Sequence, residues 1–183
     1  MNNRLKRYAI VTLLVEKLNQ YGSWCGETHI QKAMYFLKEL FPQIVDYSFM
    51  LYKYGPFSFE LRDDIGIMVT EGILKIAPAY PYGPRIMPGE GSNRIKSLFP
   101  KTLNRWEKKI IFIAEKLKDK DVKKLEPLAT ALYIIRTMPK LSQYEKTEKL
   151  QELKPHVSFK EARLSIMEAQ KIIEEAKNKY HEA

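Results

Sequence analysis

Apolar residues recur every three or four positions through most of this 183-residue chain, and proline or glycine separates the periodic segments. Such spacing is typical of amphipathic helices. The clearest stripe predicts a helix over 102–118 and consists of Leu103, Trp106, Ile110, Ile113, Ala114 and Leu117. Further helices are predicted over 4–20, 28–41, 61–72 and 126–138, and after Ser142 and Ser158, each of which precedes a glutamate at capping-box spacing. We therefore expect a mainly helical protein.

Two regions break the helical period. Residues 47–54 are rich in aromatic side chains and predict a short strand, and Gly55-Pro56 ends it. Residues 72–76 and 85–87 flank a turn rich in proline and glycine, which predicts a β-hairpin. The order helix, helix, strand, helix, hairpin is the plan of a winged helix, with the hairpin as its wing. We expect a mainly α fold with a small β component, in which residues 1–91 form a winged-helix-like domain and 92–183 a helical bundle packed on it.

The net charge of +9 is concentrated in two segments. Eleven basic and five acidic residues lie between 92 and 127, and Arg4, Lys6 and Arg7 lie near the start. Because phosphate neutralisation dominates affinity for nucleic acids, this distribution makes nucleic acid one expected partner. The predicted contacts lie on the hairpin, on the 102–118 helix and immediately before that helix: Lys75, Arg85, Lys101, Arg105, Lys108 and Lys109. Lysine-rich helix faces are also often merely solvated, and that alternative stays open.

The residues Leu51-Tyr52-Lys53-Tyr54-Gly55-Pro56-Phe57-Ser58-Phe59-Glu60-Leu61, followed by Asp64-Ile65 and Glu71-Gly72-Ile73-Leu74, form a distinctive stretch. With the helix around Ile30–Leu37, and with 128–133 and 153–156 further on, it resembles the YwgA-like proteins and, more distantly, the Panacea or SocA-like antitoxin domain. The YwgA-like resemblance implies no particular activity. The Panacea-like resemblance implies a domain that binds a toxin protein or acts as an adaptor, without catalysis.

The predicted third helix occupies the position of a recognition helix but carries the wrong charge for a DNA groove. Its outer face is expected to hold Glu60, Asp63 and Asp64, with Arg62 as the basic residue among them. This favours a second hypothesis, a protein-binding module that uses the acidic helix and the aromatic strand. The predicted partner-binding residues are Tyr54, Glu60, Asp63 and Asp64.

Residues that could support catalysis or bind a cofactor are few. The lone Cys25 rules out an internal disulfide framework, and the three histidines are scattered at 29, 156 and 181. Adjacent residues on a helix point about 100° apart, so Asp63 and Asp64 do not converge as a catalytic pair. Cys25 and His29 could form a nucleophile pair, but an ordinary buried thiol is the favoured interpretation. We expect no enzyme activity, no cofactor and no metal.

The expected location is the cytoplasm. The apolar runs are too short to cross a membrane, and the basic segment 1–7 is not followed by a signal-peptide cleavage site. No membrane contact is expected, and the sequence does not indicate an oligomeric state. At the corner Tyr54-Gly55-Pro56 we expect Gly55 to adopt a positive φ angle.

Overall fold

The computed structural model describes residues 2–81 and 83–180. Within these ranges the chain forms eight helices and four short strands. The helices are α1 (Asn2–Gln20), α2 (Glu27–Leu40), α3 (Phe59–Thr70), α4 (Ser92–Ser97), α5 (Pro100–Leu117), α6 (Val122–Thr137), α7 (Gln143–Leu153) and α8 (Phe159–Tyr180). The strands are β1 (Met50–Tyr52), β2 (Gly55–Phe57), β3 (Leu74–Ala77) and β4 (Arg85–Pro88). The mainly helical fold with a small antiparallel component is therefore confirmed.

The chain divides into two compact units, and the division differs from the predicted boundary after residue 91. The first unit contains Met1–Phe49 and Ser58–Lys120, and the second contains Met50–Phe57 and Asp121–Ala183. Helices α4 and α5 belong to the first unit because both pack against α1. The β1–β2 hairpin belongs to the second unit because β2 packs against α6.

Helix α1 is the centre of the first unit. Every residue from Tyr8 to Val15 is buried, so the middle of this helix is covered on all sides. A helix that is apolar all round is one that other elements surround. Here α2, α4, α5 and β4 all pack on α1. The predicted apolar stripe of α5 packs on α1 and completes this core, and its Ile110 and Ile113 have no exposed surface.

The second unit contains α6, α7 and α8, which pack on one another. The predicted capping box at α7 is present: Ser142 accepts from the Glu145 N–H, and Glu145 accepts from the Ser142 N–H. Helix α6 begins earlier than the Glu126-Pro127 start that we predict from the sequence. The Asp121 side chain accepts a hydrogen bond from the Lys124 N–H and starts the helix there, which leaves Pro127 inside it.

The predicted strand over 47–54 is in fact half of a hairpin. Strands β1 and β2 are antiparallel, with Met50 opposite Phe57 and Tyr52 opposite Gly55. Gly55 has φ +95°, as expected, whereas the turn residues Lys53 and Tyr54 have negative φ. A position with positive φ next to a tight hairpin turn favours glycine, which has no Cβ to clash with the backbone. Gly55 therefore closes a hairpin rather than turning a strand directly into α3.

The predicted hairpin is present as β3–β4, with Leu74 opposite Pro88 and Ala77 opposite Arg85. It forms its own two-stranded sheet, separate from β1–β2. Its base is tight, because a Cβ on Gly89 would lie 2.3 Å from the carbonyl oxygen of Gly72. The segment after the hairpin contains the short helix α4.

Candidate functional site

A row of three basic side chains lies on the exposed face of α5. Lys101, Arg105 and Lys108 are all exposed, and their spacing of four and then three residues puts them on one side of the helix. The buried stripe, which includes Leu103 and Ile110, lies on the opposite side. The charged groups therefore point to solvent. We call Lys101, Arg105 and Lys108 the basic row.

Lys109 flanks the basic row and sits on aromatic rings. Its Nζ lies 5.0 Å from the centre of the Trp106 ring and 5.1 Å from that of Phe41. The Arg105 guanidinium carbon lies 4.5 Å from the same Trp106 ring. Burial, and secondarily the neighbouring Arg105, lowers the pKa of Lys109. Trp106 is buried, as predicted, so it supports these cations and does not offer a face for base stacking.

Acidic residues near the basic row have their own partners. Glu107 is the acidic side chain within 101–109, and it forms an ion pair with Lys17 of α1 at 2.9 Å. A second ion pair, Lys96 with Glu16, joins α4 to α1. The charge of Glu107 is thus offset by Lys17, and the outward face of α5 over 101–109 stays positive.

The two predicted hairpin residues have different environments. Lys75 is exposed on β3, opposite Met87. The Arg85 guanidinium donates hydrogen bonds to the Trp24 and Ser23 carbonyl oxygens and to Asn19 Oδ1 at 3.1–3.3 Å. Its donors are therefore directed at the loop after α1, and Arg85 holds the hairpin on that loop. We leave it out of the candidate surface.

The acidic face of α3 is smaller than expected. Glu60 is exposed and accepts from the Ser48 N–H at 3.1 Å. Asp63 is exposed and pairs with Arg62 at 2.9 Å. These two predicted partner-binding carboxylates remain at the surface.

The expectation that Asp64 is exposed is wrong. Asp64 is only 4% exposed and accepts from the Tyr47 hydroxyl at 2.9 Å. Arg4 Nε lies 3.3 Å from Oδ1, and Arg7 Nη2 lies 3.4 Å from Oδ2. The helical spacing accounts for the burial, since residue 64 falls on the same side as Leu61 and Met68. Two of the N-terminal basic groups are consequently paired with a buried carboxylate, Arg4 from the surface and Arg7 from a partly buried position.

In the second unit, the β1–β2 hairpin exposes apolar side chains. Tyr54, predicted as partner-binding, is 54% exposed in the turn, and Met50 and Tyr52 on β1 are exposed to the same degree. Below the turn, Lys154 Nζ donates to the Lys53 carbonyl oxygen at 3.1 Å. The sequence carries no local signal for this contact, because 101 residues separate the two partners.

The surroundings of the candidate nucleophile Cys25 disfavour its reactive thiolate form. The thiol is buried, and this burial raises its pKa to about 12. Its Sγ lies 3.9 Å from the Val15 carbonyl oxygen. A protonated, enclosed thiol is a poor nucleophile. His29 is buried within α2. Over residues 2–81 and 83–180, no cluster of three or more His, Cys, Asp or Glu side chains could hold a metal ion.

No protein-family model matches the chain, and a search of curated proteins finds no significant match. None of the helices in the described ranges has the length and apolar character needed to cross a membrane.

Proposed function

We propose that this protein is a non-catalytic, cytoplasmic regulatory protein that binds nucleic acid through the basic row of α5. The observation that carries the proposal is the outward projection of Lys101, Arg105 and Lys108 from one helix face, with Glu107 paired to Lys17 behind them. Phosphate neutralisation by such a row supplies affinity without reading sequence. Lys109 adds a fourth positive charge at its edge.

The scaffold for this role is a winged-helix-like first unit. The order of helices α1, α2 and α3 before the β3–β4 hairpin in that unit supports this assignment, with the hairpin as the wing and Lys75 exposed on it. The charges of Glu60 and Asp63 on α3 disfavour insertion of that helix into a major groove. The interaction is therefore expected to be with the backbone, through α5 and the wing.

A second candidate function is a protein-binding module, antitoxin-like or adaptor-like. The observation that favours it is the exposure of Tyr54, Glu60 and Asp63, three of the four residues predicted for that role. The resemblance to YwgA-like and Panacea-like proteins is consistent with this alternative. A protein partner would be one with basic groups that complement α3.

The test measures affinity for a long DNA duplex as a function of salt. For wild type, a plot of log K against the logarithm of the salt concentration should have a slope of about −0.9 per phosphate contact. The variant Lys101→Gln/Arg105→Gln/Lys108→Gln should flatten that slope by about two to three units. The matched control is Lys160→Gln/Lys171→Gln/Lys177→Gln, which removes the same charge from exposed positions of α8.

The control variant should retain nearly the wild-type slope. Equal losses in the two variants would mean that overall charge, and not the basic row, binds DNA. No binding by wild type at low salt would overturn the proposal and leave the protein-binding module.

A further inference from the structure

The two faces of the β1–β2 hairpin differ in composition. Pro56 of β2 is buried, and Leu51 opposite it is half-buried. On the other face lie Met50, Tyr52 and, opposite Met50, Phe57. The Tyr52 ring centre lies 5.8 Å from that of Phe57. Tyr52 is nevertheless 55% exposed, so much of its side chain remains at the surface of the ribbon.

The hairpin is held in place by its own unit. Strand β2 packs against α6, and the Lys53 carbonyl oxygen accepts from Lys154. Lys154 is buried and lies 4.0 Å from Glu126 of α6, which is also buried. Burial lowers the pKa of Lys154, which the nearby Glu126 partly offsets. The tyrosines therefore project from a fixed support, which reduces the entropy lost when they bind a partner.

The surroundings of the two tyrosines are positively charged. Lys53 is the charged residue within Met50–Phe57, and its Nζ lies 5.4 Å from the Tyr54 ring centre. Lys123 and Lys124 are exposed in the first turn of α6, the helix that packs on β2. The acidic groups of that helix end are engaged: Asp121 caps the helix, and Glu126 is buried near Lys154.

We propose that the β1–β2 hairpin is a stacking surface for single-stranded nucleic acid. Tyr52 and Tyr54 stack on bases, and Lys53 contacts the phosphate between them. Exposed aromatic rings beside lysines fit unpaired bases, because every base has a π-face and every linkage carries a negative charge. This inference rests on the proposed function in taking nucleic acid as the partner. It adds a second surface and a preference for single strands.

The experiment uses the full chain, with fluorescently labelled dT15 and U15 as single strands and a 20-base-pair duplex as the comparison. Tyr52→Ala and Tyr54→Ala should each weaken single-strand binding by about tenfold, the usual effect of removing one stacking ring. Duplex binding should change by less than about twofold, since phosphate contacts on α5 are untouched. Tyr52→Phe should retain single-strand affinity, because it keeps the ring.

The matched control is Tyr144→Ala, which removes another exposed tyrosine from α7 of the same unit. It should leave both affinities unchanged.

If Tyr52→Ala unfolds the hairpin, Tyr52→Phe and Tyr54→Ala still report on stacking. Single-strand affinity that is unaffected by Tyr52→Ala and Tyr54→Ala, with duplex binding intact, overturns this inference alone. Loss of duplex binding only in the basic-row variant supports the proposed function whatever happens at the hairpin.

A protein partner would give a different pattern. If Tyr52→Ala abolishes capture of a protein while wild type binds neither dT15 nor U15, the hairpin is a protein-docking surface and the stacking inference is wrong. Competition provides a further check: unlabelled dT15 should displace labelled U15 from wild type, since both would occupy the same rings.

Discussion

Gln31 and Ser58 exchange two hydrogen bonds across 27 residues of sequence. Gln31 Nε2 donates to the Ser58 carbonyl oxygen at 2.9 Å, and the Ser58 N–H donates to Gln31 Oε1 at 3.0 Å. Both residues are buried. The side chain of Gln31 therefore pairs with both backbone polar groups of Ser58, the residue before α3. The Ser58 hydroxyl in turn caps α3 by accepting a hydrogen bond from the Leu61 N–H.

Gln31→Ala is expected to lower the free energy of unfolding by about 2–3 kcal/mol, because it leaves a buried N–H and a buried carbonyl without partners. The matched control is Gln20→Ala at an exposed position of α1, which should change stability by less than about 0.5 kcal/mol. Chemical denaturation measures both. Equal stability of the two variants would contradict a structural role for the pair.

Two glycines give predictions of opposite sign. Gly55 has φ +95°, so Gly55→Ala should destabilise the protein by about 1 kcal/mol or more. Gly66 is inside α3 with open space around its Cβ position, so Gly66→Ala should be neutral or stabilising by up to about 1 kcal/mol. Thermal melts of both variants test the assignment. A Gly55→Ala variant as stable as wild type would contradict the strained φ assigned to this position.

Asp63 and Asp64 are adjacent in sequence but should respond differently to removal of their charge. Asp64→Asn should cost about 2–3 kcal/mol, because it weakens a buried acceptor of Tyr47, Arg4 and Arg7. Asp63→Asn should cost less than about 0.5 kcal/mol, because its pair with Arg62 is exposed. Urea denaturation of the two variants measures the difference, and similar values would place Asp64 at the surface after all.

Cys25 should react slowly with a thiol reagent in the native protein. Its pKa of about 12 leaves almost no thiolate at pH 8, whereas a cysteine in the unfolded chain has a pKa of about 8.5. The same difference predicts a loss of stability as pH rises above about 8.5, since the unfolded state then releases a proton that the folded state retains. The Cys25→Ala variant should lose less stability than wild type as the pH rises. Labelling in native buffer and in guanidinium gives the rates, and fast native labelling would contradict the burial.

The sequence predicted helices well because their signals are local. The stripe of α5 and the capping box at Ser142 depend on residues within one or two turns, and both appear in the fold. Long-range partners were not predictable in the same way. Gln31 has capping-box spacing from Thr28, yet α2 begins after Gly26 without a side-chain cap, and Gln31 bonds Ser58 instead.

The candidate surface was predicted only in part for the same reason. Lys101, Arg105 and Lys108 lie opposite an apolar stripe, and their exposure follows from helical period. Arg85 is assigned to an interaction surface as a basic residue of the predicted hairpin, and Asp64 as an acidic residue of the expected outer face of the third helix. Their actual partners, Asn19 for Arg85 and Tyr47 for Asp64, come from other elements of the chain.

The contacts of Arg85 also bear on how the chain would behave once cut. Between β3 and β4, Tyr80 is 93% exposed, which makes this position accessible to a protease. Arg85 bonds Asn19, Ser23 and Trp24, and Asn19 Nδ2 donates to the Ile86 carbonyl oxygen. A nick in this loop would therefore separate two fragments that remain attached through α1, and the cleaved protein should migrate as one species until it is denatured.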